Sequence, residues 1–330
     1  MSSSILSRSL NNKLVFTTNS ARHYKIQSKT NINKFPDGEI YVSITKNIKN
    51  KNVIIIGSTQ PPAENLLELL LLIDSVVQNG AKTVKVVIPY FGYARSDKNE
   101  SQNQLTSVET IVKMLELVGG KNCSFTILDP HSNHLQSYFK NPFNKMSADK
   151  QMANEFIHIK DLSIIAPDNG SKEKALEFAS YLKIPKIVSI NKKRLSETKV
   201  KILSVSGNVS NNAVIVDDMV ASGNTILETA KVIKNKGAKH IYVAVTHIVY
   251  SAGGWKKLAS SKLIDKIVTT DSIVSPTKLP KKYKIIQFTD ILKKYISNPY
   301  FSQPLRLKKL SGFSKFILNS STALTVNLLK

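Results

Sequence analysis

The stretch Ala213-Val-Ile-Val-Asp-Asp-Met-Val-Ala-Ser-Gly-Asn-Thr225 decides the fold that the sequence predicts. Its first four residues, 213–216, are apolar and mostly β-branched, which is typical of a buried strand in a parallel sheet. Asp217 and Asp218 come directly after this run, at the end of the strand where open α/β sheets bind their ligands. The two carboxylates are therefore expected to accept hydrogen bonds from sugar hydroxyls or to face a metal.

A short polar turn follows the two aspartates and precedes a predicted helix. The turn contains Gly223, which permits close approach of the backbone to a ligand. The hydroxyls of Ser222 and Thr225, together with the N–H groups at the start of the helix, can surround a phosphate dianion. Carboxylates beside a phosphate cradle predict a phosphorylated sugar. A simpler interpretation stays open, since Asp, Ser and Asn are also ordinary residues for ending a strand and capping a helix.

Apolar runs of strand length alternate with longer amphipathic segments along both halves of the chain. The predicted strands cover residues 13–17, 40–44, 53–56, 84–89, 125–128, 162–166, 187–190, 213–216 and 241–246, and the main helices cover 65–79, 107–118, 172–182 and about 225–236. This alternation predicts an α/β protein of two tandem doubly wound domains with mainly parallel sheets. A boundary near residues 142–147 divides the chain into domains 1–143 and 144–330.

The composition limits the classes of protein that fit. The formal net charge of +24 suggests a nucleic-acid partner, but the lysines are spread along the whole chain, and a basic surface also attracts ATP and sugar phosphates. We therefore do not expect a nucleic-acid partner. Cys123 is the single cysteine, which excludes an intramolecular disulfide and fits a reducing, cytoplasmic compartment. The apolar run 66–77 contains two acids and is shorter than the roughly 20 residues of a bilayer helix, so we expect a buried helix and no membrane span.

Several motifs at the ends of predicted strands occur together and in one order. They are Phe35-Pro-Asp-Gly-Glu39, Tyr90-Phe-Gly-Tyr-Ala-Arg95, Asp129-Pro-His131, Pro167-Asp-Asn-Gly170, Lys192-Lys-Arg194 and the opening stretch. Between about residues 13 and 296 the chain resembles the ribose-phosphate diphosphokinase family, the synthetases of phosphoribosyl diphosphate. The resemblance implies two phosphoribosyltransferase-like domains and the transfer of the β,γ-diphosphate of ATP to the 1-hydroxyl of ribose 5-phosphate. It also implies AMP as the second product and a requirement for Mg²⁺.

The resemblance assigns roles residue by residue. The ATP-binding residues would be Phe35, Asp37, Gly38, Glu39, Arg95, Ser96 and His131. The Mg²⁺ ligands would be His131 and Asp168, and the diphosphate loop would comprise Asp168, Asn169, Gly170 and Ser171. The catalytic cations, on a mobile loop, would be Lys192 and Arg194. Ribose 5-phosphate would be bound by Arg194, Asp217, Asp218, Ala221, Ser222, Gly223, Asn224 and Thr225.

The resemblance further implies a dimer-based homo-oligomer, because the Phe35 turn would contact the ATP of a neighbouring subunit. Considered without the resemblance, His131 would be interpreted as a structural histidine and Lys192 as a solvated lysine. The family resemblance reverses both interpretations.

Some positions depart from the family pattern. Ser96 replaces a glutamine after the loop arginine, and Lys98 replaces an arginine. The serine side chain is shorter than that of glutamine, and lysine lacks the bidentate hydrogen bonding of the arginine guanidinium. Ala221 stands where many members carry a third acid. These departures favour a second hypothesis, a catalytically weakened homologue that acts as a regulatory partner of an active synthetase, whereas the retained metal and catalytic residues oppose it. A nucleic-acid-binding regulator would rest on the net charge alone, and a phosphoribosyltransferase would leave the ATP motifs unexplained.

Overall fold

The computed structural model describes residues 14–26, 28, 30–95, 106–132, 134–194 and 200–297, with the backbone alone for 192–194 and 200–203. The strands are β1 (Leu14–Thr17), β2 (Thr30–Lys34), β3 (Ile40–Ile44), β4 (Asn52–Ile56), β5 (Thr83–Ile88), β6 (Cys123–Leu128), β7 (Phe143–Met146), β8 (Leu162–Ala166), β9 (Val188–Arg194), β10 (Val200–Ser206), β11 (Asn212–Val220), β12 (His240–Ile248), β13 (Lys266–Thr270) and β14 (Tyr283–Ile286). The α-helices are α1 (Glu64–Gln78), α2 (Ser107–Gly119), α3 (Leu135–Tyr138), α4 (Asp149–Ala153), α5 (Lys172–Tyr181), α6 (Asn224–Asn235), α7 (Gly254–Ser260) and α8 (Phe288–Ile296). This architecture confirms the predicted α/β class with mainly parallel sheets.

The first sheet has the strand order β1-β4-β5-β6-β7, and each neighbouring pair is parallel. Its central strands bury continuous apolar runs, as parallel strands covered on both faces do. Helix α1 buries Leu69, Leu72 and Ile73 completely, which confirms the predicted buried helix. In the part of the chain that the structure describes, no helix has the length and apolar character to cross a bilayer.

Strands β2 and β3 form a separate antiparallel hairpin. Strand β3 was expected from its alternation, but β2 was not, because its sequence Thr-Asn-Ile-Asn-Lys buries only Ile32. The turn between them is closed by the N–H of Phe35 donating to the carbonyl of Glu39 (2.8 Å). Gly38 has φ +97°, a conformation that glycine adopts at little cost.

The second sheet has the order β10-β9-β8-β11-β12-β13-β14. All neighbouring pairs are parallel except β9 and β10, which form an antiparallel ribbon at the edge. The prediction of a loop after residue 190 is wrong for the backbone of Lys192 and Arg194, which belongs to β9. Strand β9 pairs with β8 at Val188 and Ser189 and continues beyond them as a ribbon with β10. Backbone pairing of this kind does not require the buried apolar pattern on which the strand prediction relied.

Strand β11 is also longer than expected. It continues past Val216 to Val220 because Asp217 and Met219 still pair with β12, whereas the pairing with β8 stops at Ile215. Asp217 and Asp218 consequently lie on the strand rather than after it. The extension is paired with β12 and has no pairing with β8 among the described strands. The candidate site lies beside this part of β11.

One apolar core joins the two sheets. Its buried members include Ile54, Ile56, Val87, Leu128 and Met146 from the first half and Val214, Val216, Ala244, Val268 and Phe288 from the second. Tyr24, in the 3-10 helix Asn19–Tyr24, packs its ring on Phe288 with the centroids 4.6 Å apart. The halves are thus held in a fixed relation by burial of apolar surface.

Candidate active site

The carboxyl ends of β6 and β11, one from each sheet, meet at a histidine–carboxylate contact. His131 follows β6 in the turn Asp129-Pro-His131, and its Nδ1 donates to Oδ2 of Asp218 (2.5 Å). Residues 87 positions apart in the chain are brought together in this way. A metal-binding histidine usually donates its other ring N–H to a carboxylate, which fixes the orientation of the ring. The contact is therefore of the kind that orients a metal-binding histidine.

The pKa values of the adjacent carboxyls Asp217 and Asp218 shift in opposite directions. Burial, followed by the negative charges of Asp218 and Asp168, raises the pKa of Asp217 well above its usual value. Burial would also raise the pKa of Asp218, but the hydrogen bond and charge of His131 bring it below the usual value. The influence of Asp168 on Asp217 places the predicted metal ligand and the predicted sugar-binding pair in one electrostatic environment.

The predicted diphosphate loop leads into helix α5 and is closed by its own hydrogen bonds. The N–H of Ser171 donates to Oδ1 of Asp168 (3.0 Å), and Oγ of Ser171 donates to the carbonyl of Asp168 (3.0 Å). Asn169 and Gly170 are exposed at the tip of this loop, and Nδ2 of Asn169 donates to Oδ1 of Asn191 on β9 (3.2 Å). The ribbon that carries Lys192 and Arg194 is thereby connected to the diphosphate loop.

The predicted phosphate turn leads into α6 through Gly223, which has φ +76°. Helix α6 begins at Asn224, so its first N–H groups point to the turn, as in anion sites at helix N-termini. Gly254 supports the turn from behind: its N–H donates to the carbonyl of Ala221 (3.0 Å). A Cβ atom on Gly254 would lie 2.1 Å from that same oxygen. Sequence reasoning missed this glycine, for which the only signal was the pair Gly253-Gly254.

The Tyr90 to Arg95 loop lies beside the same cluster. Arg95 hydrogen-bonds the Tyr90 hydroxyl, and burial, the dominant effect, together with the charge of Asp218 raises the pKa of that phenol. The ring of Tyr90 packs edge-on against His247 of β12, with the centroids 5.0 Å apart. Ser96 lies outside the described residues, as do the side chains of Lys192 and Arg194.

The Phe35 turn is the predicted element that the structure does not bring to this cluster. The Phe35 ring is 50% exposed and packs on Tyr41 of the same hairpin, with the centroids 4.5 Å apart. Asp37 accepts a hydrogen bond from the N–H of Glu39 (3.1 Å). Among the contacts that the structure describes, none joins Phe35, Asp37, Gly38 or Glu39 to His131 or Asp218.

A buried polar cluster lies directly behind His131. It consists of Asp129, Asp149, Lys174, Thr246 and His247. Sequence reasoning named only Asp129, as part of a motif, because the other four residues are scattered over three elements and show no local pattern.

No three His, Cys, Asp or Glu side chains assemble into a metal site within the described ranges. Mg²⁺ does not need such a group, because it is usually bound by one or two carboxylates, substrate phosphates and water. The mutual repulsion of Asp168, Asp217 and Asp218, visible in the raised pKa of Asp217, is the kind of charge excess that a divalent cation relieves. The donor set therefore fits a magnesium ion held partly by a substrate.

Comparison with known proteins identifies relatives over most of the chain. Residues 4–119 match the model of the N-terminal domain of ribose phosphate pyrophosphokinase, and residues 179–298 match the phosphoribosyl synthetase-associated domain. The ribose-phosphate pyrophosphokinase of Mycoplasmopsis pulmonis is 34% identical over 277 residues, which cover 82% of this chain and 83% of the relative. That of Campylobacter jejuni is 30% identical over 281 residues, covering 84% and 89%.

A solved structure has the same fold. The crystal structure of phosphoribosylpyrophosphate synthetase from Mycobacterium smegmatis superposes with a TM-score of 0.77 at 22% identity, covering 89% of this chain and 100% of that one. The likeness extends across both halves and agrees with the tandem arrangement of the two sheets.

Proposed function

This chain belongs to the ribose-phosphate pyrophosphokinase family, and from that premise we propose that it transfers the β,γ-diphosphate of ATP to the 1-hydroxyl of ribose 5-phosphate. In this reaction the sugar oxygen forms a bond to the β-phosphorus, the bond from the β-phosphorus to the oxygen of the α-phosphate breaks, and AMP leaves. The observation that best supports the proposal is the contact of His131 with Asp218, which brings the ATP half and the sugar half to one point.

We assign the sugar phosphate to the turn 221–225 and the start of α6. The N–H groups of Gly223 and its neighbours, with the Ser222 and Thr225 hydroxyls, would hold the 5-phosphate. Asp218, kept ionised by His131, would accept hydrogen bonds from the ribose hydroxyls. Asp217, whose pKa is raised by burial and by its acidic neighbours, would donate as well as accept while it is protonated. Bound in this way, the sugar would present its 1-hydroxyl to the diphosphate loop, as a proximity effect requires.

We assign Mg²⁺ to Nε2 of His131 and the carboxylate of Asp168, with the remaining ligands supplied by phosphate oxygens and water. When bound, the metal would neutralise charge on the diphosphate that is transferred. The exposed tip of the diphosphate loop, at Asn169 and Gly170, would face those phosphates. Lys192 and Arg194 would add fixed positive charge from the end of β9, because the transition state gathers negative charge on equatorial oxygens.

The activity has a direct test. Purified protein incubated with ATP, ribose 5-phosphate and Mg²⁺ is expected to form AMP and phosphoribosyl diphosphate in equal amounts. Lys192→Ala is expected to abolish both products, whereas Lys231→Ala, at an exposed ion pair with Glu228, should leave the rate unchanged. If the folded wild-type protein forms no product but changes the rate of an active synthetase, the regulatory hypothesis is correct instead. Neither the described residues nor the relatives found by comparison favour that alternative.

We further propose that the protein acts as a dimer-based homo-oligomer in the cytoplasm, and that Phe35, Asp37, Gly38 and Glu39 contact ATP bound to a neighbouring copy. Support comes from the exposed Phe35–Tyr41 aromatic pair, since aromatic side chains are enriched in interfaces and base-binding surfaces. Sheet β1-β4-β5-β6-β7 would form the first domain of each copy. Because Phe143–Met146 completes that sheet, we place the boundary at the end of β7 instead of at residue 143.

Mixing inactive variants tests whether the site is shared. Phe35→Ala and Lys192→Ala should each be inactive as pure proteins. After the two are mixed and allowed to exchange subunits, activity should reappear, because some sites combine an intact hairpin with an intact ribbon. Failure to recover activity in mixtures that are shown to exchange would contradict a site shared between copies.

A further inference from the structure

Lys174, on the first turn of α5, is enclosed between two carboxylates. Its Nζ lies 2.7 Å from Oδ1 of Asp149 and 3.2 Å from Oδ1 of Asp129. The side chains of both aspartates are at most 2% exposed, and that of Lys174 is 11% exposed. Burial alone would lower the pKa of Lys174, but the two carboxylates raise it, so the side chain is a buried ammonium. Removing one partner of such a group leaves an uncompensated buried charge.

Asp129 is held through nearly all its polar atoms. Its N–H donates to the carbonyl of Met146 (2.8 Å), and its Oδ2 accepts hydrogen bonds from Ala148 N–H (3.0 Å) and Thr246 Oγ1 (2.6 Å). Its carbonyl accepts a hydrogen bond from Nε2 of His247 (3.1 Å). The residue has φ +36°, a left-handed conformation that a non-glycine residue adopts only when its surroundings impose it.

The ion pair of Asp129 with Lys174 connects the two segments that carry the proposed metal ligands, His131 and Asp168. Asp129 is two residues before His131, and Lys174 is three residues after Ser171, which ends the diphosphate loop that begins at Asp168. The ion pair of Lys174 with Asp129 therefore fixes the distance between a turn of the first sheet and a loop of the second. Asp149, at the start of α4, forms the second ion pair of the Lys174 ammonium.

We propose that Lys174 is a positioning residue that sets the spacing of His131 and Asp168, and through them the binding of the divalent cation; this inference rests on the metal assignment made in the proposed function. Lys174 itself touches neither substrate nor metal in this arrangement. Its effect passes through Asp129 on one side and through the first turn of α5 on the other.

The test compares Lys174→Met, which keeps the length of the side chain and removes its charge, with Lys174→Arg, which keeps the charge. Mn²⁺ binding is measured by electron paramagnetic resonance with Mn²⁺ alone and with Mn²⁺ plus ATP, and steady-state kinetics give kcat and KM for each substrate. Residues behind a metal ligand typically alter metal affinity by about 10- to 100-fold. Lys174→Met is therefore expected to weaken Mn²⁺ binding by about tenfold or more and to lower kcat, while the KM for ribose 5-phosphate stays within about threefold. Lys174→Arg should recover part of both losses.

Controls separate positioning from a general loss of structure. Lys231→Met, on the surface of α6, should match the wild type in every measurement. If Lys174→Met does not fold, Thr246→Val decides the question, because it removes a hydroxyl that donates to Asp129 (2.6 Å) and accepts from Nζ of Lys174 (3.3 Å) while leaving the ion pairs in place. Weaker Mn²⁺ binding by the folded variant is expected. A folded Lys174→Met or Thr246→Val protein with a lower melting temperature but normal Mn²⁺ binding would overturn the inference. A wild-type protein that forms no phosphoribosyl diphosphate would refute the proposed function, while the Mn²⁺ titration would still test the positioning role.

Discussion

Asp217 and Asp218 are adjacent in the chain, yet their pKa values shift in opposite directions. The sequence identifies both as carboxylates at the carboxyl end of an apolar strand, and their position at the cluster agrees with that prediction. Their ionisation depends on His131 and Asp168, which approach them only after both sheets have formed. A residue pattern can therefore indicate which groups do the chemistry, but the protonation of each group is set by contacts between distant parts of the chain.

Gly254 gives a prediction about a single Cβ atom. Gly254→Ala would place that atom 2.1 Å from the Ala221 carbonyl, so the phosphate turn must shift. We expect the KM for ribose 5-phosphate to rise about tenfold, since small misplacements of binding groups are costly, with a smaller change in the KM for ATP. Gly120→Ala is the control for a general loss of stability: no atom lies within 4 Å of its Cβ position, but φ +57° strains any side chain there, so the variant should be less stable with unchanged KM values. A Gly254→Ala enzyme with unaltered KM values would contradict the supporting role of this glycine.

Cys123 gives a second prediction at this scale. Burial, the dominant cause, raises the pKa of its thiol to about 12, and the thiolate is the reactive form. At pH 8 the folded protein is therefore expected to resist a disulfide reagent such as DTNB, while the same protein in guanidinium chloride reacts with one equivalent. Rapid labelling of the native protein at pH 8 would show that the thiol is accessible and ionised.

Most strands with continuous apolar runs were predicted, and most of the polar and edge strands were not. Val53–Ile56 and Leu162–Ala166 have the buried pattern of central parallel strands, and the structure confirms both. The polar strand β2, the edge strands β7 and β10 and the buried strand β13 were missed, and β9 was ended too early. Strands β2, β7 and β10 are held by backbone pairing to one neighbour, which their own hydrophobic pattern does not reveal. Strand β13 has only two apolar residues, Ile267 and Val268, and its other buried residues are threonines.

Helix α8 is the element whose packing is easiest to test. Phe288 begins this helix, is fully buried and contacts Tyr24 of the first half. Phe288→Ala is expected to lower the free energy of unfolding by about 3–5 kcal/mol, the usual cost of a phenylalanine-sized cavity. Denaturant titration measures the change. Leu117→Ala, at a side chain that is 83% exposed, should change stability by less than about 0.5 kcal/mol. Equal effects of the two substitutions would mean that α8 is not docked on the core.

At the scale of the whole molecule, the doubled α/β plan was predictable, but the joint between the two halves was not. The motifs predicted the candidate site residues of each half, and the alternation of strand and helix predicted the α/β class. The shared core and the contacts of Lys174 and Thr246 with Asp129 pair residues that are 45 or more positions apart. No periodicity within one segment carries such information.

The shared core predicts that the two halves unfold together. The chain has one tryptophan, Trp255 in the second half, and one cysteine, Cys123 in the first, and both are buried. Tryptophan fluorescence and thiol labelling, followed along the same guanidinium titration, should therefore give coincident midpoints, as a cooperative transition requires. Midpoints that differ clearly would show that one half persists after the other has unfolded.

The apolar layer between the sheets also limits how this protein can be taken apart. A chain severed at residue 147 would leave Leu128 and Met146 on one fragment and Val214 and Phe288 on the other, so each fragment would lose part of the apolar surroundings that bury these residues. Each fragment is therefore expected to aggregate through its exposed apolar surface before it could act as a separate binding module. Chimaeras assembled from the halves of two relatives would consequently need both sides of that layer to be exchanged together.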